Sequence, residues 1–353
     1  LMICEQNQKI EKEKGKQEME SKRDILRVIE KEIKNILEII DKRIIENINI
    51  KTHKVGADDM KNEKLRNNRK YYNLLYILPL FVFMMAFMLV PFITGIAKSF
   101  YKYDAISINE FIGFQNYIDL FTKDSKFPIA LKNMVFLLFA MVFCFSFSVI
   151  AAKLTLMVKS KKKQYLFRVL LFLPMAIPSV VTMMMWKFLY YPEIGAFAHI
   201  FKWFDATFPN VLGTEKFVLW AIVLIGFPWI SGFNYIIATS ALQGVDPGMI
   251  ESAQIDGAGT FKTFFKVELP LIAPQLKTLL TLALIGQIQE YERFLILTNG
   301  GPNNASLVPG LHMYKMAFSS GNSQYGYSCA ISVILFLITL VFSLIIMRRK
   351  KES

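Results

Sequence analysis

Cysteine and histidine are scarce in this chain. Three cysteines, Cys4, Cys144 and Cys329, and three histidines, His53, His199 and His312, are spread over 353 residues. Neither set has the close spacing of a metal site or a disulfide framework, and two of the cysteines sit inside apolar runs. Charged residues are only 20% of the chain, too few for a disordered or collagen-like protein of this length. No segment reads G-x-x-x-x-G-K-[ST]: the one Gly-Lys pair, Gly15-Lys16, is followed by Gln17. H-E-x-x-H and G-x-S-x-G are also missing, so ATP hydrolysis, zinc proteolysis and serine-hydrolase chemistry have no motif here.

What is present is apolar. Hydrophobic residues make up 54%, with 31 Phe and 17 Met, and the mean hydropathy is +0.36. One water-soluble core cannot hide that much apolar surface, so much of it is expected to face lipid. A net charge of +13 would otherwise point to nucleic acid, but the Lys and Arg residues gather at the edges of apolar segments, where they orient a membrane protein. No nucleic-acid partner is expected.

About 20 apolar residues cross a bilayer as a helix. On that measure the fold class is all-α, a polytopic membrane protein with six transmembrane helices at about 74–97, 133–152, 169–188, 217–240, 276–298 and 329–347. Pro79 and Pro91 are expected to kink the first, and the third carries Pro174 and Pro178. The fifth is interrupted by Gln287, Gln289, Glu290, Glu292 and Arg293, which a helix facing a protein interior tolerates. An even number of spans puts both ends of the chain on one side. The segments on that side hold twice as many Lys and Arg as the loops between them, which places both termini and residues 241–275 in the cytoplasm of a multi-pass plasma-membrane protein.

Residues 1–59 are a separate stretch rich in Lys, Glu, Ile and Asn, with Leu26, Ile29, Ile33, Ile36, Ile40 and Ile44 at helical spacing. It reads as an amphipathic coiled coil or membrane-surface helix. The alternative is a segment outside the working protein, because the chain opens on Leu1 and Met60 begins a basic leader before the first span. The second reading is the expectation. The transmembrane domain is then 60–353, and no secretory signal precedes it.

The cytoplasmic loop at 241–275 is the most informative stretch. Asp246-Pro247 starts a short helix, Gly257 and Gly259 break it, and Phe261, Phe264, Phe265 and Val267 give a second apolar face. A helix–turn–helix this apolar on the water side of a membrane needs something to pack against. Its residues run Glu251-Ser252-Ala253, three residues, Gly257, nine residues, Val267, Glu268, Leu269-Pro270. That pattern resembles the E-A-A…G…I-x-L-P signature of binding-protein-dependent ABC importer permeases, with Ser252 and Val267 as departures that keep residue size close. Ile255-Asp256-Gly257-Ala258 resembles the carbohydrate-importing branch, as do LTNGGPNNAS (297–306), MYKMAF (313–318) and YGYSCAISV (325–333). The resemblance covers about 70–350 and leaves out 1–59.

The resemblance implies a type I ABC importer permease fold and a division of labour. This chain and a second, homologous permease form a heterodimeric pore in membrane lipid, and an extracellular solute-binding protein delivers a sugar. Two separate ATP-binding cassette subunits hold the ATP and magnesium, so this chain carries no cofactor and is not an enzyme. Glu251, Ser252, Ala253, Asp256, Gly257, Ala258, Leu269 and Pro270 are implied as the ATPase-coupling residues. Glu251 would face a basic group on the ATPase, and Gly257 would permit the turn.

Sugars are read by amides, carboxylates and aromatic faces, and intramembrane polar groups are candidates by default. Trp229, Ser231, Asn234 and Tyr235 form one such cluster. Gln287, Glu290, Tyr291 and Arg293 form a second, with 287, 290, 291 and 294 on one helical face. Trp186 and Tyr190 offer a third. Span-end Trp and Tyr also serve as interface anchors, and Glu290 and Arg293 are spaced to pair with each other. The competing class is an ion-coupled secondary transporter or channel subunit. It would call for a visible repeat or carboxylates on several spans, and only the fifth span has them.

Overall fold

A computed structural model describes residues 77–106, 108–318 and 324–347. The extension at 1–59, the basic leader after it and the C-terminal basic residues lie outside the described residues. The chain divides into two compact units, one ending at Phe87 and one beginning at Met88. The site lies entirely in the second.

Among the described residues three continuous helices are long and apolar enough to cross a membrane: α1 (Ile77–Lys98), α3 (Lys126–Met157) and α14 (Tyr325–Met347). Between α1 and α3 lie a short antiparallel hairpin, β1 (Tyr101–Tyr103) with β2 (Asn109–Phe111), and α2 (Gln115–Thr122). The hairpin is a small departure from the all-α expectation. A Cβ at Gly326 would run into the Tyr101 carbonyl, so glycine there lets α14 lie against β1.

The first expected span, with Pro79 and Pro91, stays one continuous helix, whereas the third is broken between Pro174 and Pro178. The third span is a bent pair, α4 (Lys161–Phe172, extended to Ala176 by a 3-10 turn) and α5 (Ser179–Leu189), meeting at 92°. Ile177, forced extended by the proline after it (φ −82°, ψ 129°), makes the corner. After α6 (Ala196–Lys202), the fourth expected span is split into α7 (Glu215–Leu224) and α8 (Gly232–Gln243). Residues 225–231 between them hold Gly226 at φ 81° and Trp229 at φ 58°, a cis Phe227–Pro228 bond and no helix.

Helix α9 (Pro247–Ile255) is followed by α10 (Thr260–Leu271), which turns by 73° directly into α11 (Ala273–Gln289). The fifth span is therefore a continuation of the loop's second helix. It is also not one helix to residue 298, as expected from sequence. Glu290 is extended (ψ 125°), Tyr291 is irregular (φ −137°), and α12 (Glu292–Leu297) starts afresh. The shared face drawn through 287, 290, 291 and 294 is lost at that break. A loop and α13 (Pro309–Phe318) lead to α14. If each bent pair counts as one span there are five by length and composition, with the split fourth segment beside them. At both π turns among the described residues, Met85–Leu89 and Phe264–Glu268, a proline follows two residues later (Pro91, Pro270). A residue without an N–H forces the helix to slip one register there.

Helix α3 is the spine. Its 32 residues extend about 48 Å, and they enter all three core clusters. Ala130 and Leu137 pack with Val218, Ile222, Phe294 and Leu311. Met134 and Leu138 pack with Leu284, Ile288, Ile331 and Leu335. Val149, Ala151 and Ala152 pack with Tyr235, Ala238, Phe264 and Ile272. Each cluster joins α3 to different helices, so a displacement of α3 is felt throughout the second unit.

Candidate coupling loop and solute path

The loop is built by two caps. Asp246 accepts the Gly248 N–H at 3.0 Å on its carboxylate and starts α9 with Pro247 in the first turn. At the other end Ala258 N–H donates to the Ala253 carbonyl at 2.9 Å, and Gly257 N–H to the Gln254 carbonyl at 3.0 Å. These are the paired bonds of a Schellman motif, with Gly257 at φ 79° in its left-handed position. A Cβ on Gly257 would meet nothing within 4 Å, so glycine is needed for its backbone angle and not for space. Thr263 is buried and its hydroxyl donates to the Ala258 and Gly259 carbonyls, fixing the entry to α10.

The two helices sort their apolar residues into opposite directions. Phe264 is buried in the Val149–Tyr235–Ile272 cluster, with Ile250 and Leu269 packed against it. Met249, Ile255, Phe261 and Phe265 stay exposed, Ile255 by 85% and Phe261 by 76%. Ile255, at the last turn of α9, points out, while Ile250 packs against the buried cluster. No residue of α9 is buried. Glu251, Ser252, Asp256 and Gly257 are exposed, as is Pro270, while Ala253, Ala258 and Leu269 are half-buried.

The solute-path candidates separate into different environments. Tyr235 is completely buried, and its hydroxyl donates to Thr155 Oγ1 at 3.0 Å, joining α8 to α3. Trp229 is half-buried in the break of the fourth segment. Its indole N–H donates to the Val223 carbonyl at 2.6 Å, and its ring meets Phe227, Phe147 and Phe143 edge-on at 4.9, 5.0 and 6.0 Å. Ser231 caps α8 through Asn234 N–H, leaving the half-buried Asn234 amide at the same break. Ser148 on α3 holds this break by accepting the Ser231 N–H at 3.0 Å.

The second cluster sits at the break after α11. Glu290 accepts the Arg293 N–H at 3.2 Å and the Arg293 guanidinium at 3.4 Å, so it caps α12 and pairs with the residue spaced to meet it. Both side chains keep about a quarter of their surface exposed (28% and 25%). Tyr291 stacks on Tyr314 at 5.1 Å, and Gln287 is half-buried one turn earlier. Glu292, noted in the sequence only as an interruption, accepts from Ser179 at 3.2 Å and ties α12 to the first residue of α5. Trp186 and Tyr190 lie in the Phe294 cluster, and Tyr190 donates to the Ala221 carbonyl at 2.9 Å.

One polar network was not legible in the sequence. Asp124 Oδ2 meets His312 Nε2 at 2.6 Å and accepts the Tyr327 hydroxyl at 2.7 Å, while Oδ1 accepts the Lys126 N–H at 2.8 Å at the start of α3. Burial alone would raise the Asp124 pKa. The hydrogen bonds from Tyr327 and His312 and the His312 charge outweigh it and hold the carboxyl below its ordinary value. Asp124 is distant in sequence from both His312 and Tyr327, and no local spacing announces the network. Asp124 and Tyr327 also line an open cleft of about 890 Å³ with Lys102, Asp104, Gln115 and Asp119.

Among the described residues no cluster of His, Cys, Asp or Glu is placed to hold a metal. Residues 144–349 match the family described as "Binding-protein-dependent transport system inner membrane component". The chain is 29% identical over 287 residues to the multiple sugar-binding transport system permease protein MsmF of Streptococcus mutans serotype c, covering 80% of this chain and 96% of that one. It is 26% identical over 295 residues to the trehalose/maltose transport system permease protein MalF of Thermococcus litoralis, covering 82% and 97%. Its fold matches a chain of a bacterial ABC transporter that imports the acidic polysaccharide alginate, with a TM-score of 0.70 at 22% identity over 80% of this chain and 96% of that one. The chain belongs to the family of binding-protein-dependent transport system inner membrane components, and its fold is that of an ABC importer permease.

Proposed function

We propose that this chain is the permease of a carbohydrate importer, forming half of a translocation pore with a second, similar permease and driven by separate ATPase subunits. Both termini and the α9–α10 loop face the cytoplasm, and ATP and magnesium bind to the ATPase and not here. An external binding protein supplies the solute. Two comparisons support that part: relatives carry sugar-transport names, and a matching alginate transporter is solved in complex with an oligosaccharide-bound periplasmic protein.

The observation that carries the coupling role is the outward group Met249, Ile255, Phe261 and Phe265 on a rigidly capped helix–turn–helix. Phe264 is buried in the bundle, whereas these four side chains point away from it. A helix face of this kind seats in an apolar groove of a partner. Glu251 and Asp256 beside them supply charge to orient the contact. For the solute, the half-buried Trp229, Asn234, Gln287, Glu290, Tyr291 and Arg293 remain the path residues, and Tyr235 is assigned to packing.

Co-purification tests the coupling role. Phe261→Asp and Glu251→Lys are each expected to lose the ATPase subunit while the permease chains stay together. Retention of stoichiometric ATPase by both variants would remove the assignment.

A further inference from the structure

Glu268 is 3% exposed and lies in the π turn of α10, on the side opposite the outward apolar group. Its Oε1 accepts from Lys153 Nζ of α3 at 2.6 Å, and the Lys153 side chain is itself only 18% exposed. The ammonium also lies 5.8 Å from the centre of the Phe264 ring. The second carboxylate oxygen, Oε2, is buried without a hydrogen-bond partner among the described residues.

As a source of stability this is a poor arrangement. Two charges have been taken out of water, and one oxygen has nothing in exchange. A matched apolar pair would hold α10 to α3 as well or better. An ion pair differs from such a contact in being directional and short, so a displacement of one helix is passed to the other without slippage. The position suits that purpose. Lys153 is five residues from Ser148, whose hydroxyl holds the broken segment at Ser231, and two from Thr155, which holds Tyr235.

We propose that the Lys153–Glu268 ion pair is the strut that passes movement of the α9–α10 loop to α3, and through Ser148 to the break beside the solute path. Lys153 and Glu268 are positioning residues, and nothing in the loop signature assigns them. The inference rests on the reading of α9–α10 as the ATPase-docking loop.

The test uses the full importer reconstituted in proteoliposomes. Glu268→Gln and the double variant Lys153→Met/Glu268→Met are compared with the native chain. Three quantities are read: bound ATPase, ATP hydrolysis, and uptake of a radiolabelled mixture of malto-oligosaccharides and alginate oligosaccharides per ATP hydrolysed. Both variants are expected to retain the ATPase and hydrolyse ATP, with uptake per ATP reduced by about fivefold or more. The double variant keeps the packing, so a merely structural pair would leave that ratio at its native value. Native uptake per ATP in the double variant, or a loss of uptake matched by loss of assembled complex, overturns the strut. Phe261→Asp separates the two readings. If it keeps its ATPase, the docking assignment fails; if it loses the ATPase while the double variant transports at native efficiency, only the strut fails.

Discussion

The N–H of Ala258 reaches back across Gly257 to the carbonyl of Ala253 at 2.9 Å, closing α9 from outside its own last turn. That bond exists only while residue 257 stays left-handed. Glycine adopts the angle freely, asparagine tolerates it, and a β-branched residue does not. Gly257→Asn is therefore expected to bind ATPase nearly as the native chain does. Gly257→Val is expected to lose most of it. Since the added side chain would meet no neighbour, equal behaviour of the two variants in a pull-down would show that the turn angle is not what matters.

Tyr235 and Asn234 adjoin in sequence but predict opposite results. Tyr235→Phe removes the bond to Thr155 inside a buried cluster, at a cost of about 0.5–1.5 kcal/mol. Thermal unfolding should shift down while uptake by the assembled complex is unchanged. Asn234→Ala should leave unfolding nearly unchanged and lower uptake. The reverse pattern would exchange their roles.

At the second break, Gln287→Ala should impair uptake with assembly intact, because the half-buried amide is free to face solute. Glu290→Gln should lower both uptake and the amount of assembled complex, since Glu290 also caps α12 and pairs with Arg293. Loss of assembled complex equal to the loss of uptake in Gln287→Ala would assign that residue to packing.

How much of this was legible beforehand depends on the range of the interactions. The α9 start and stop were readable because a cap and a Schellman glycine are local: Asp246-Pro247 and Gly257 sit next to what they control. The corner at Ile177 was not read, because 169–188 is apolar enough for one span, although Pro178 acts locally on its neighbour. The break in the fourth segment was not, because 217–240 has enough apolar residues for a span and nothing in hydropathy records Trp229 at a positive φ. The break at Glu290 was half-readable: the polar run marks it, but a continuous helix accommodates the same spacing. Lys153–Glu268 and Asp124–His312–Tyr327 join residues more than a hundred positions apart, beyond any periodicity.

The Asp124 network makes a pH prediction. A carboxyl whose folded pKa lies below its unfolded value contributes stability that is fully present above the unfolded pKa, about 4. The contribution disappears as pH falls through the folded value. Asp124→Ala also leaves the buried His312 without its partner, costing about 1–3 kcal/mol, and frees the half-buried Tyr327 hydroxyl into the cleft. Its unfolding temperature should be well below the native chain's at neutral pH, and the gap should narrow only below about pH 4. A gap that already closes near pH 6 would place the titration on another group.

Orientation has its own test. In a background without the native cysteines, Lys123→Cys, at a 70% exposed side chain beside the cleft, should react in intact cells with an impermeant thiol reagent. Ser160→Cys, exposed between α3 and α4, should be protected. Labelling of residue 160 with protection of 123 would invert the bundle.

The central claim is that the outward face of α9–α10 seats in an ATPase. A photo-crosslinking amino acid at Ile255, the most exposed apolar side chain of α9, reads that contact directly in the assembled importer. The account predicts a crosslinked product containing this chain and the ATPase subunit, abolished by Gly257→Val. Crosslinks confined to lipid or to this chain itself, in a complex that still contains the ATPase, would contradict it.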